Sequence, residues 1–458
     1  MAFGAIVVII SIAALLGIGL SAVLPVLDAP DEVYHWQRAV QISHGQFFAG
    51  RQGGQTGYGG EIDSAALGFA RWANQHFERS SPFSLSEARG AAAEVAKAPG
   101  KSAASFPSTA SFAPLAYLPQ AAGIAAARAA GGNVFAQLLA GRVANLLAYL
   151  SLIAAAVWLV PFGQRTLLAL ALTAPTLHLA ASVSGDPSNF ALPVLLFAAC
   201  LRLRHNGSTE LTSSGRFGLA LLMISLALLK PIYLLLAAIA LLVPERCFGG
   251  RRAKVVFLAW TFGIALLLSI AWNATYPFVP GRYWGTGADP KAVLLGILGD
   301  PLAAATYFMN SLKVQMPLMW LDAWGRFGGY PPPFMVNAPQ ALSWGGLAAL
   351  LALSIAETQG RRDLRAALLM MLLAAAFSVA IFLAFWAAFS PPGSAVIRGV
   401  QGRYFLPAFL LVAWALAAAA PAGGALARLR SPLLVLALSL QAAALVYGVA
   451  DFRFYWSN

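Results

Sequence analysis

Apolar residues in this chain come in long unbroken blocks separated by short polar punctuation, unlike the single stripe of an amphipathic core helix. Met1 to Leu27 holds no charged side chain, and comparable blocks run from Ala366 to Phe389 and from Pro432 to Ala450. About 20 apolar residues let one helix span a bilayer's hydrocarbon while satisfying its own backbone polar groups. The pattern predicts about eleven such spans, at residues 4–27, 141–160, 166–183, 189–203, 217–229, 231–244, 255–275, 341–356, 366–389, 404–420 and 432–450. The expected fold class is an all-α polytopic membrane protein.

Charge then gives the spans a direction. The linkers 163–165, 202–216, 245–254, 357–365 and 421–430 hold 13 of the 30 Lys and Arg but only 4 of the 17 Asp and Glu. The positive-inside rule puts them in the cytoplasm, with the N-terminus inside and the C-terminus outside. Arg216 and Arg251 must then share a side, so the apolar residues 217–244 cross an even number of times. Lys230-Pro231 is the only polar break there, and the proline ends the helix, so a hairpin with Lys230 at its outer tip is expected. The chain divides into a first transmembrane helix (1–27), a large extracytoplasmic loop with interfacial helices (28–140), helices 2–7 (141–275), a second extracytoplasmic region (276–340) and helices 8–11 (341–458).

Composition excludes other classes. Hydrophobic residues make up 59% and charged residues 10% of the chain, against roughly 25% charged in a soluble domain. Met1 to Leu27 has no basic n-region or clear cleavage pattern, so it reads as a retained span. Cys200 and Cys247 sit in or beside inner segments, which argues against a disulfide framework. The net charge of +13 reflects sidedness, so no nucleic-acid partner is expected. No Walker-type loop is present, the Gly-rich stretch 52–60 has no following lysine, and the five histidines lack metal-ligand spacing.

The strongest local signal is the segment Asp28 to Arg38. Asp28 can N-cap a helix with Pro30 in its first turn, and Asp31 and Glu32 would then face the positive dipole end. Spacing puts Asp31, His35 and Arg38 on one face. That pattern fits either a well-capped interfacial helix with a surface ion pair or a carboxylate fixed at the membrane surface as a general base or metal ligand. Asp186, in the turn Ser184 to Asn189, could reach the same depth, or could simply cap a turn. Lys230 and Arg403 are cations beside apolar runs, suited to snorkelling or to a shared phosphate.

A first span followed by Pro-Asp-Glu-x-x-His-x-x-Arg, then Arg142-x-x-Asn145, Ser-x-Ser-Gly-Asp, Lys-Pro-x-Tyr and Gln-Gly-Arg-Tyr-Phe-x-Pro, resembles a family of bacterial membrane proteins of undefined activity. That family in turn resembles the GT-C glycosyltransferases, which use polyprenyl-phosphate-linked sugars at the outer face. The resemblance implies a GT-C-like bundle in the bacterial inner membrane, a base or metal ligand at Asp31 with Glu32 as the alternate carboxylate, and a second acid at Asp186. It implies donor-phosphate contacts from Lys230 and Arg403, support from Asp28, His35, Arg38 and Tyr404, and a polyprenyl-phosphate-linked sugar as donor. The acceptor, whether glycan, lipid or protein, is left open. So is the cofactor, with a divalent cation (Mg or Mn) at Asp31 and Asp186 as the candidate. A flippase or transporter for lipid-linked glycans would use the same cations without chemistry, and a non-catalytic envelope assembly protein would need no single acid.

Overall fold

A computed structural model describes residues 1, 3–51, 57–78, 84–206, 210–276, 287–328, 335–358, 362–421 and 425–456. Part of the Gly-rich stretch, 52–56, lies outside them. The first helix, α1 (Phe3–Val23), leads into a layer that is not purely helical. After α2 (Glu32–Ser43) come β1 (Gly50–Arg51), β2 (Tyr58–Asp63), α3 (Ser64–Glu78), α4 (Leu85–Val95), β3 (Lys101–Ser105) and α5 (Pro107–Ala110). The strands form one antiparallel sheet in the order β1-β2-β3. A side chain at Gly59 would stand 1.8 Å from the Ala104 carbonyl, and one at Gly60 2.3 Å from Gln41 Nε2. These glycines let β2 lie against both β3 and α2, so the Gly-rich stretch partly becomes a strand and the all-α expectation is corrected.

Helix α6 (Leu118–Ala129) follows a short 3₁₀ turn at Pro114–Tyr117 and folds back along α7 (Val134–Leu159). The predicted span 166–183 is broken into α8 (Gln164–Ala171) and α9 (Ala174–Ala180), with Pro175 in the first turn of the second piece. Next come α10 (Asp186–Asn206) and α11 (Ser213–Leu229), and then a 3₁₀ helix over Pro231–Leu242. Lys230 between them is extended, and the chain turns back on itself. The two ends of this hairpin meet: Leu211 N donates to the Cys247 carbonyl at 2.8 Å, and Arg216 to that of Phe248 at 3.2 Å. Seventeen α-helical residues rise roughly 25 Å and twelve 3₁₀ residues about 24 Å, so the tighter winding makes the shorter arm as long as its partner.

The remaining helices are α12 (Arg251–Ala274), α13 (Pro290–Gly299), α14 (Pro301–Trp324), α15 (Gln340–Ala356), α16 (Leu364–Phe389), α17 (Leu406–Ala419) and α18 (Arg430–Trp456). A second small antiparallel sheet, β4 (Arg326–Gly328) with β5 (Met335–Asn337), lies between α14 and α15. Among the described residues six helices are long and apolar enough to cross a membrane: α1, α7, α12, α16, the Gly402–Ala419 segment containing α17, and Ala427–Ala450 around α18. The pair α13–α14, bent by 117°, makes a seventh if counted as one span. The other segments read as spans are the broken pair α8–α9, α10, the hairpin arms and the shorter α15.

Exposed Leu15, Trp260, Leu267 and Leu372 lie on the candidate membrane helices, while Leu167, Leu170, Phe197 and Leu236 of the central pieces are fully buried. Helices apolar on all sides are what lipid outside and protein inside require. The linkers rich in Arg gather at one end. There the Met1 amine contacts Gln164, Arg165 pairs with Glu357, Arg204 pairs with Asp363 and Arg430 donates to the Ala356 carbonyl. Hydrogen bonding from Arg204 holds the Asp363 carboxyl below the usual carboxylate range.

Candidate functional site

At the other end, two loops are fixed by one buried cluster. Arg142, 1% exposed, meets Glu32, 0% exposed, through paired contacts: Nε donates to Oε1 at 2.9 Å and Nη2 to Oε2 at 2.8 Å. The same guanidinium donates to the carbonyls of Ser21, Leu24 and Pro25. Glu32 also accepts from Val183 N at 2.7 Å. One turn along α7, Asn145 donates to the carbonyls of Ser182 and Ser184, and Gln120 donates to Asn145 and Ser184. The Arg-x-x-Asn pair thus ties together the segments carrying Asp31 and Asp186. Leu27 (φ 57°) and Asp31 (φ 61°) are the only non-glycine residues with positive φ among those described. Such strain persists where the surroundings over-determine it.

Several readings of the first loop are corrected. Helix α2 starts at Glu32, so Asp31, not Asp28, occupies the N-cap position, and it makes no side-chain cap bond. Asp28 is instead buried. Arg38 is fully buried and pairs with no acid among the described residues; it donates to the carbonyls of Phe47 (2.8 Å) and Phe112 (3.1 Å) and to Gln41. The expected surface ion pair with Asp31 does not form, because α2 is enclosed by α3, α6 and β2 and carries its polar side chains inward. Glu32 has both oxygens committed to the cluster around Arg142.

Asp31, Asp186, Lys230 and Arg403 converge from four distant parts of the chain. Arg403 Nη2 donates to Asp31 Oδ2 at 3.4 Å, while its Nε lies 2.9 Å from Asp186 Oδ2. Lys230 Nζ is 4.0 Å from Asp186 Oδ1, which also accepts from Asn189 at 3.1 Å. Two neighbouring cations would repel each other, and Asp186 is the anion between them. The Lys230 ammonium also lies over the Phe112 ring (4.9 Å) and the Tyr404 ring (5.0 Å), cation–π contacts that help hold it away from bulk water. Arg403 is set by α14: Gly402 N donates to Asp322, and a side chain at Gly402 would stand 1.8 Å from the Met319 carbonyl. This close approach is why a glycine precedes Arg403.

These groups line a cavity of about 370 Å³, walled also by Leu228, Ile232, Trp272, Ala384 and Phe385. His35 lines it as well, with Nδ1 2.6 Å from the Tyr117 hydroxyl. Burial lowers the His35 pKa against the pull of Asp186 and Asp31, and burial pushes the Tyr117 hydroxyl up. Phe112, Tyr117 and Trp272 were not singled out in the sequence, where an aromatic beside an apolar run reads only as an interfacial anchor. A second cavity, of about 400 Å³, adjoins the first, sharing Asp31, Ser108, Phe385, Phe389 and Tyr404 with it, and is lined also by Asp28, Tyr34, Asn74 and Gln401.

The donor set does not suit a divalent cation. Both carboxylates are already held by the Arg403 guanidinium between them, and the described residues contain no cluster of three His, Cys, Asp or Glu around a common point. Magnesium-type ions want several converging oxygens and no fixed cation among them. The chemistry available here is that of two carboxylates and two cations beside an apolar chamber.

A family model described as a predicted membrane protein, DUF2142, matches residues 14–412. No curated protein and no solved structure matches the chain.

Proposed function

We propose that this chain, which belongs to the DUF2142 family of predicted membrane proteins, is a GT-C-type glycosyltransferase that takes a sugar from a polyprenyl-phosphate carrier. In this reading the chain crosses the bacterial inner membrane about eleven times, N-terminus in, and the site faces the extracytoplasmic side. The observation that carries the reading is the pairing of Lys230 and Arg403 with two carboxylates at the head of an apolar cavity. A lipid phosphate has the same build, a charged head on an apolar tail. A sugar delivered on lipid also accounts for a chain without a nucleotide-phosphate motif.

The chemistry follows from the charges. The acceptor hydroxyl attacks the anomeric carbon, its proton passes to the Asp31 carboxylate, and the carbon–oxygen bond to phosphate breaks with its electron pair staying on the phosphate. The leaving phosphate gains one negative charge as Asp31 loses one. Arg403, loosened from a protonated Asp31, is then available to the phosphate beside Lys230, so stabilisation grows along the reaction and is strongest where charge develops. Asp186 keeps the two cations together before the donor arrives.

The test is binding and turnover of a synthetic short-chain polyprenyl-phosphate sugar by the purified chain in nanodiscs. Lys230→Met should weaken donor binding about tenfold or more, since hydrogen bonds to charged groups contribute roughly 1.5–3 kcal/mol. Asp31→Asn should keep donor binding and reduce turnover about 10²-fold or more. Undiminished donor binding in the Lys230→Met/Arg403→Met double variant overturns the phosphate site. Tight binding of the lipid with no turnover in the wild type favours a flippase.

A further inference from the structure

We propose that the second cavity receives the acceptor, and that the acceptor is a neutral, polyhydroxylated group, a saccharide or glycoside. The inference rests on the glycosyl-transfer reading and concerns the second partner held beside the same carboxylate. Asp31, Ser108, Phe385, Phe389 and Tyr404 line both cavities, and Asp31, with a side chain 39% exposed, is the shared titratable acid and far more open than Asp186 or Arg403. A base in the shared wall can reach a hydroxyl in one chamber while the anomeric carbon lies in the other, which is what a direct transfer requires.

The two chambers differ in charge. Lys230 and Arg403 line the first beside Asp31 and Asp186, whereas among the described residues no lysine or arginine lines the second, where Asp28 and Asp31 stand and the Glu32 charge is balanced by Arg142. Its field disfavours an anion, so a phosphate or carboxylate belongs in the first chamber and a neutral group in the second. The amides of Asn74 and Gln401 can each donate and accept, which matches a hydroxyl that does both. The rings of Tyr34, Tyr404 and Phe389 supply flat apolar surface against the carbon face of a sugar ring. At about 400 Å³ the chamber falls within the roughly 300–1,000 Å³ typical of small-molecule sites. Asn74 comes from α3, so the layer inserted after the first helix takes part in recognition.

The step balances with no further reagent. The acceptor O–H bond breaks and its proton goes to Asp31, the new glycosidic bond forms at the anomeric carbon, and polyprenyl phosphate leaves with the electron pair. The proton is later lost from Asp31 to water.

The experiment uses the full chain in nanodiscs, a short-chain polyprenyl-phosphate hexose as donor, and methyl hexosides as acceptors in neutral and uronic acid forms. Transfer to the neutral hexoside and not to the uronic acid form is expected. Asn74→Ala and Gln401→Ala should each raise the acceptor KM about 3- to 10-fold, the loss of one ordinary hydrogen bond, while the donor KM holds. Asn74→Cys gives an independent readout: a methyl hexoside should slow its modification by a small aqueous thiol reagent, and donor alone should not. Equal use of the uronic acid form, a donor KM that rises in step, or donor hydrolysis with no transfer to any hexoside overturns the acceptor site and leaves the donor reading standing. A wild-type chain that neither binds nor turns over the donor defeats the glycosyl-transfer reading, and the acceptor site with it.

Discussion

At the residue scale the site depends on side chains that each serve two neighbours. Arg403 touches Asp31 and Asp186 at once, and Asp186 answers both cations. His35 is the titratable group whose surroundings make a pH statement possible. Burial lowers its pKa from the ordinary 6.5, so the folded protein holds it neutral where an unfolded chain would already bind a proton. Because the unfolded state binds more protons there, stability is present in full above about pH 6.5 and falls as pH drops toward the lowered folded value. Melting temperature in detergent should therefore decline between pH 7 and 5 with a component that His35→Gln removes. A slope identical in the variant would place the titrating group elsewhere.

At the element scale, adjacent acids on one turn divide into different tasks. Asp31 opens onto both cavities, while Glu32, the next residue, points into the bundle and binds Arg142. Glu32→Gln leaves a buried guanidinium without its counter-ion, and breaking such a pair costs about 3–5 kcal/mol. The expected outcome is a much lower melting temperature for Glu32→Gln than for Asp31→Asn, whose carboxylate is partly exposed. Equal melting curves would sink the assignment of Glu32 to the clasp. The hairpin shows a second device at this scale. Twelve residues wound as 3₁₀ run as far as a longer α-helix, so Lys230 stands at a tip although the segment after it is short.

For the whole molecule, the inserted layer and the Arg-rich linkers occupy opposite ends of the bundle. Helix α14, from the second inserted region, holds the loop that carries Arg403: Ile397 N donates to Ser311 at 3.0 Å, and Gln315 donates back to the Ile397 carbonyl. The proposed orientation predicts that a cysteine replacing the exposed Ser86 is labelled by an impermeant thiol reagent in intact cells. One replacing the exposed Ser213 should react only after permeabilisation. The native Cys200 and Cys247 are buried and add little background. The reverse pattern, or both sites labelled from outside, would contradict the orientation.

The sequence by itself determined the membrane character, since no soluble chain needs so many uncharged blocks, and it marked Asp31, Asp186, Lys230 and Arg403 as polar residues at the ends of apolar runs. Composition and charge are local properties, and they survive any arrangement of the helices. The tertiary structure alone decided which charges meet. Asp31 and Arg403 are 372 positions apart, and no spacing rule reaches that far. It also decided that Arg38 and Glu32 turn inward, because α2 is enclosed on several sides and not laid on a surface. The strand at Tyr58–Asp63 was equally hidden, since its glycines follow from contacts with Ala104 and Gln41 and not from any alternation along the chain.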